Sequence, residues 1–307
     1  MASWLSAPHF HNEEAAYRFV EARLWPNGPV CPHCGGYDRI SKMQGKSTRV
    51  GAYKCYQCRK PFTVKIGTIF EDSKVHMHLW LQAMYLIAGS KKGISSNQLH
   101  RILGVTLKTA WFMSHRIREA MKSSALDPFG TDGGLVEVDE TFIGQKKGVE
   151  PGKAAFHHKM KVLSLIERNS GQARSYVIDK VTLQEIDPIV ARNVSENAHL
   201  MTDEHRVYVS LGAYYAQHSR VSHMANEYVR DDKHTNTVEG FFSIFKRGMK
   251  GVYQHCQEKH LHRYLAEFDF RYSNRVALGC HDEERAERLL MGVIGKRLTY
   301  KGTNAGA

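Results

Sequence analysis

Apolar residues recur along this chain with two different periods, and the change between them falls in SALDPFGTDGG, residues 124–134, a turn-rich stretch that reads as a linker. Upstream the period is helical. Ala16, Phe19, Val20 and Leu24 share one face of a short helix predicted over roughly 13–24, followed by a loop through Pro26, Gly28 and Pro29. In SKVHMHLWLQAMYLIAGSKKG, the residues Val75, Leu79, Leu81, Met84 and Ile87 form a second core face that ends near Gly89. GISSNQLHRILGVTLKTAWFMSHRIREAM then reads as a short helix, a turn at Gly104 and a second helix opened by Thr106.

Downstream of the linker strands appear. LVEVDETFIGQKK alternates, with Val136, Val138 and Phe142 facing one way and Glu137, Asp139 and Thr141 the other. KMKVLSLIER and QARSYVID follow as a hairpin around Asn169, Ser170 and Gly171. TLQEIDPIVARNV is a helix opened by Thr182, AHLMTDE is a strand ending at Asp203, and QHSRVSH is a weaker strand before the final helices. Three consecutive strands, a helix, another strand and a later helix predict an α/β fold of the ribonuclease H-like kind. The expected organisation is multidomain: helix and ribbon over 1–70, helix-turn-helix over 71–126, a catalytic α/β domain over 132–280 and a helical tail over 281–307. The two last helical stretches, HLHRYLAEFDFRYSN and DEERAERLLMGVIGKRL, are expected to pack on the catalytic domain.

Composition adds a partner. The 43 Lys+Arg outnumber 31 Asp+Glu, giving a formal net charge of +12 and pointing first to nucleic acid. No apolar run approaches the ~20 residues a membrane helix needs, and the N-terminus lacks the pattern of a signal peptide, so the expected setting is cytoplasmic, with no membrane partner. Four of the six cysteines form two C-x-x-C pairs, Cys31/Cys34 and Cys55/Cys58, with twenty residues between Cys34 and Cys55. Two such knuckles supply four thiolates to one tetrahedral Zn²⁺ at ribbon spacing, while Cys256 and Cys280 fit no ligand spacing. Residues 31–65 carry eight Lys/Arg against one acid, Asp38, with Tyr53, Tyr56 and Phe62 interleaved, as a nucleic-acid contact requires. The helix, glycine turn and second helix resemble a helix-turn-helix, whose second helix would offer DNA Thr106, Lys108 and Thr109, with Arg116 and Arg118 further along.

The candidate chemistry lies in three carboxylates. Asp139 and Asp203 each sit on a strand, and Glu239 lies near the start of a helix in HTNTVEGFFSIFKRG. Carboxylates converging from two strands and a helix suit a two-metal phosphoryl-transfer site holding Mg²⁺ or Mn²⁺. Each also has a plain structural reading: a solvated edge for Asp139, a helix cap for Asp203, and a capping box with Asn236 for Glu239. Glu140 is set aside, because alternation lets only one of an adjacent pair face a site. Lys246 falls two turns after Glu239 on the same helix face.

The order CPHC…CYQC, VDETFIG, TDEH, HTNTVEGFFSIFKRGMKGVYQH and HLHRYLAEFDFRYSNR resembles bacterial insertion-sequence transposases of the IS1595 group, with an ISXO2-like DDE domain, over about residues 12–278. The resemblance implies a catalytic triad at Asp139, Asp203 and Glu239 with Lys246 beside it, and puts His234 and Asn236 next to the site. Some members carry Asn as the third residue, which makes Asn236 the rival of Glu239. The implied activity is binding of terminal inverted repeats, metal-dependent strand cleavage and strand transfer on double-stranded DNA by a homo-oligomer, expected to be a dimer. Two other readings stay open: a zinc-containing DNA-binding regulator without catalysis, and a nuclease of the same fold without strand transfer.

Overall fold

The structure is a computed structural model describing residues 3–123, 127–152, 156–221 and 235–299. The chain divides into two compact units, one made of residues 1–122 and 281–307 and the other of 123–280.

In the first unit α1 (Glu13–Leu24) is opened by Asn12, whose side chain accepts the Ala15 amide at 2.9 Å, and it buries Ala16, Tyr17 and Val20. A three-stranded antiparallel ribbon follows, ordered β1 (Ile40–Lys42), β2 (Tyr53–Cys55), β3 (Pro61–Phe62). Helix α2 (Met77–Gly89) buries Met77, Trp80, Leu81, Met84, Ile87 and Ala88. Its inner stripe therefore runs through Trp80 rather than Leu79, and Val75 precedes the helix. Helices α3 (Ser96–Leu103) and α4 (Leu107–Ala120) flank Gly104, whose φ of +65° ends α3 in the left-handed region that glycine adopts without strain.

The second unit is a five-stranded sheet in the order β6-β5-β4-β7-β8, built from β4 (Leu135–Ile143), β5 (Met160–Glu167), β6 (Ala173–Ile178), β7 (His199–Asp203) and β8 (Gln217–Val221). β5 is antiparallel to both neighbours, while β4, β7 and β8 run parallel. This mixed sheet is consistent with the ribonuclease H-like expectation. Helices α5 (Leu183–Asn193) and α6 (Arg206–Leu211) cover one face, where Ile186, Val190, Tyr208 and Leu211 meet Val136, Val138, Leu163 and Leu200. Helices α7 (Asn236–Gly248) and α8 (Glu258–Ser273) cover the other. There Val238, Phe241, Phe242 and Phe245, at i, i+3, i+4 and i+7, lie with Leu261, Leu265 and Phe268 against Ile143, Val162 and Ile166.

Two expectations need correction. Phe129, inside the stretch expected to be a linker, is 4% exposed and belongs to the α5 core, with the Arg174 guanidinium 3.9 Å from its ring centre. The last helix, α9 (Asp282–Met291), does not join the sheet: it packs on α2 within the first unit, burying Ala286, Leu289 and Leu290. A helix signature gives the face to be buried but not the partner that buries it.

Phe245 is fully buried, edge-on to Phe268 at 5.2 Å. Phe245→Ala should lower unfolding free energy by about 3–5 kcal/mol, read by denaturant titration of the full chain; a loss below about 1 kcal/mol would show that α7 is not anchored by this stack.

Candidate active site and metal centres

The parallel ladder between β4 and β7 ends at the pair Glu137–Met201, and two residues further along each strand stand Asp139 and Asp203. Carboxylate oxygens of Asp139, Asp203 and Glu140 all lie within 4.8 Å of one another. Alternation was a poor guide to Glu140. It fixes the direction of a Cβ, whereas glutamate carries its carboxylate one methylene beyond Cβ on two further rotatable bonds, and this part of β4 has no β7 backbone paired beside it. Tyr208 of α6 completes the arrangement, its buried hydroxyl donating to Glu140 Oε2 at 2.5 Å.

The electrostatics are those of an uncompensated acidic cluster. Burial pushes the Asp139 carboxyl up to about 8, reinforced by repulsion from Glu140, Asp203 and Glu239 and opposed by the Glu140 amide, which donates to Oδ1 at 2.7 Å. Glu140 is also raised, by burial and by Asp203, against the Tyr208 hydrogen bond. Asp203 Oδ1 accepts the His205 amide at 2.9 Å, so its turn-capping and cluster roles coexist on one side chain.

Helix α7 brings the remaining groups. Its N-cap is Thr235, not Asn236, so the expected capping box is out of register; instead the Thr235 hydroxyl donates to Glu239 Oε1 at 3.2 Å. Glu239 is exposed and lies outside the 4.8 Å cluster, though its charge raises Asp139. Lys246, two turns on, is lowered overall by burial, with Asp139 opposing that shift, so its charge acts on the cluster. Asn236 is exposed at the first position of α7, and His234 lies outside the described residues. Glu137, which the alternation pattern gave only as a same-face neighbour, is 0% exposed; Arg168 Nε donates to it at 2.5 Å and the Val238 amide at 2.8 Å.

Crowded hard oxygens of this kind fit Mg²⁺ or Mn²⁺, whose charge would offset the burial and repulsion that raise Asp139. The ribbon cysteines fit a different ion. Cys31 and Cys58 sulfurs are 3.6 Å apart and Cys34 and Cys55 sulfurs 3.7 Å, close to the edge of about 3.8 Å set by a tetrahedron of ~2.3 Å Zn–S bonds. The amides of Cys58 and Gln57 hold the Cys55 thiol down at about 7, ready to ligate as thiolate.

Among the helix-turn-helix candidates, Thr106 caps α4 by accepting the Thr109 amide at 3.2 Å, with the two hydroxyls 2.8 Å apart, and Lys108 is exposed. Arg116 and Arg118 are corrections, because both are buried. Arg116 donates to the carbonyls of Ile69, Glu71 and Leu298, and Arg118 to Ser114, so neither reaches a groove. Arg118 shares the Ala110–Ser114 side of α4, a spacing visible in the sequence.

Residues 132–273 match the ISXO2-like transposase domain, and residues 11–61 match the transposase zinc-ribbon domain of the same group. The chain belongs to the IS1595 group of transposases. Asp139, Asp203, Glu239 and Lys246 all fall within its ISXO2-like domain, and the four cysteines within its zinc ribbon. A protein of Halobacterium salinarum, an uncharacterized protein in transposable element ISH50, is 26% identical over 277 residues, covering 85% of this chain and 91% of that protein. A chain of the simian T-cell lymphotropic virus intasome in complex with PP2A regulatory subunit B56 gamma is 13% identical, and the match spans 56% of this IS1595 chain and 63% of that one. Its TM-score of 0.30 is too low to bear on the argument.

Two outcomes follow. The folded protein keeps a proton on Asp139 up to about 8, whereas the unfolded chain releases it near 4, so stability of the Mg²⁺-free, zinc-loaded protein should fall as pH rises through that window. Asp139→Asn should flatten the fall in Tm; an unchanged Tm–pH profile would contradict the crowding. Cys55→Ser should abolish the bound zinc measured by elemental analysis and expose the ribbon to limited proteolysis, since Phe62, Trp25, Ile40 and Tyr53 form only a small core around the sulfurs. Full zinc content in that variant would refute the four-thiolate site.

Proposed function

We propose that this chain is a DDE transposase that binds the terminal inverted repeats of its element and carries out metal-dependent strand cleavage and strand transfer. The observation that carries the reading is the joint presence, in an ISXO2-like domain, of the Asp139–Glu140–Asp203 cluster and of Glu239 and Lys246 on the helix beside it. Asp139 and Asp203 would provide the principal metal oxygens, Glu239 would close the shell from α7, and Glu140 would add an oxygen from the α6 side. When bound, two divalent cations supply a nucleophile at neutral pH and neutralise charge on the leaving oxygen. Lys246 would hold a nonbridging phosphate oxygen, and the Tyr208 hydroxyl bonds Glu140 and would keep its carboxylate from swinging away. Asn236, one turn before Gly240, remains the rival third ligand.

DNA would be gripped by the zinc ribbon, where Tyr56 is exposed with the Lys54 ammonium 5.5 Å from its ring centre, and by the start of α4, where Lys108 is presented. A homodimer holding two ends is the assembly this reading expects. Among the described residues no helix is long and apolar enough to cross a membrane. The place of the Halobacterium relative in a transposable element supports the same reading.

The test uses zinc-loaded protein and a labelled duplex carrying the element's terminal repeat, with Mg²⁺ or Mn²⁺. Wild type should nick the end and join the freed 3′-hydroxyl to target DNA. Asp139→Ala, Asp203→Ala and Glu239→Ala should each lower turnover at least 10³-fold while retaining binding, on the order expected for loss of a main electrostatic contribution. Binding without cleavage under either metal would favour the regulator, and cleavage without joining the nuclease. Activity surviving Glu239→Ala but lost in Asn236→Ala would move the third ligand to Asn236.

A further inference from the structure

We infer that Glu137 is a positioning residue of the acidic centre, setting where α7 places the third carboxylate relative to Asp139. The inference rests on the metal reading proposed above.

The argument begins with what α7 lacks. Its N-cap Thr235 makes no side-chain cap, so the first-turn amides need an acceptor from elsewhere. The Val238 amide finds one in Glu137 Oε2, at 2.8 Å, across 101 residues of sequence. A carboxylate at the positive end of the helix dipole is favourable, and Arg168 Nε at 2.5 Å on Oε1 supplies the counter-charge that full burial demands.

The placement of this bond matters. Glu137 lies two residues before Asp139 and, by alternation, on the same face of β4; Val238 lies one residue before Glu239. Glu137 thus ties the strand that carries Asp139 to the helical turn that carries Glu239. α7 also meets the sheet through the apolar stripe Val238, Phe241, Phe242 and Phe245, which holds the helix down but is non-directional. A hydrogen bond is directional, and metal ligands must be held to within about 0.5 Å of a productive geometry. The charged bond pins the helix where the stripe alone would let it slide.

The experiment measures Mn²⁺ affinity of the zinc-loaded full chain by calorimetry, with thermal unfolding recorded on each variant. Glu137→Leu removes the acceptor, Glu137→Gln keeps a carbonyl for the Val238 amide, and Val190→Ala in the opposite core controls for lost stability alone. Positioning predicts Mn²⁺ binding weakened roughly tenfold or more in Glu137→Leu, as for other supports of metal ligands, substantially restored in Glu137→Gln and unchanged in Val190→Ala. Amide hydrogen exchange at Val238 should accelerate in Glu137→Leu and be protected again in Glu137→Gln. Equal Mn²⁺ affinity in wild type and folded Glu137→Leu overturns the inference. If Glu137→Leu does not fold, Glu137→Gln decides: an unprotected Val238 amide with wild-type Mn²⁺ affinity overturns it equally. Wild type that binds no Mn²⁺, alike with Asp139→Asn, sinks the metal reading itself and this inference with it.

Discussion

A carboxylate taken out of water needs a counter-charge, and β4 answers that demand in two opposite ways within three residues. Glu137 is fully buried and answered: a guanidinium holds one oxygen and a helix amide the other. Asp139, next on the same face, is crowded by Glu140, Asp203 and Glu239, all of its own sign, with the Glu140 amide and the charge of Lys246 set against them. One acid is answered by the protein, and the other carries an excess of its own sign that a bound cation would offset. The contrast separates a structural from a functional carboxylate more sharply than either burial or sequence position does, since both residues lie at interior positions of one central strand. Around this strand helices pack on both faces of the sheet, and Asp139 and Asp203 stand just past the end of the β4–β7 ladder.

The two candidate metal centres differ in the same physical terms. The ribbon offers four soft thiolates at tetrahedral spacing, a closed shell with no place for a substrate. The sheet offers hard oxygens from Asp139 and Glu140 on β4 and Asp203 on β7, the kind of shell that leaves room for water and phosphate. The first is suited to holding a small fold together, the second to chemistry.

Much of this was legible in the sequence because period and spacing survive folding. The alternation in LVEVDETFIG set Asp139 on the strand face opposite Val136 and Val138, and the two-turn spacing of Glu239 and Lys246 put them on one side of α7. The C-x-x-C pairs specified their tetrahedron without help. What was not legible depends on tertiary partners. Glu140 joins the cluster because Tyr208, sixty-eight residues away, draws its carboxylate there. Arg116 resembles a groove-reading residue until three carbonyls, two of them from the 69–71 turn, are found to occupy its guanidinium. The amphipathic pattern of α9 is the same whichever surface receives it, and only the fold assigns it to α2.

The charge distribution also bears on how binding and chemistry would be coupled. The chain carries a net +12, concentrated in the ribbon and helical segments, whereas the proposed centre is acidic. A DNA phosphate approaching the metal-free centre would meet the crowded acidic side chains of Asp139, Glu140 and Asp203, which offer it no attraction. Divalent cations held by these residues would reverse the sign of the local field and supply the attraction for phosphate that the carboxylates lack. Lys246 is a positive side chain whose charge already interacts with Asp139 before any cation binds.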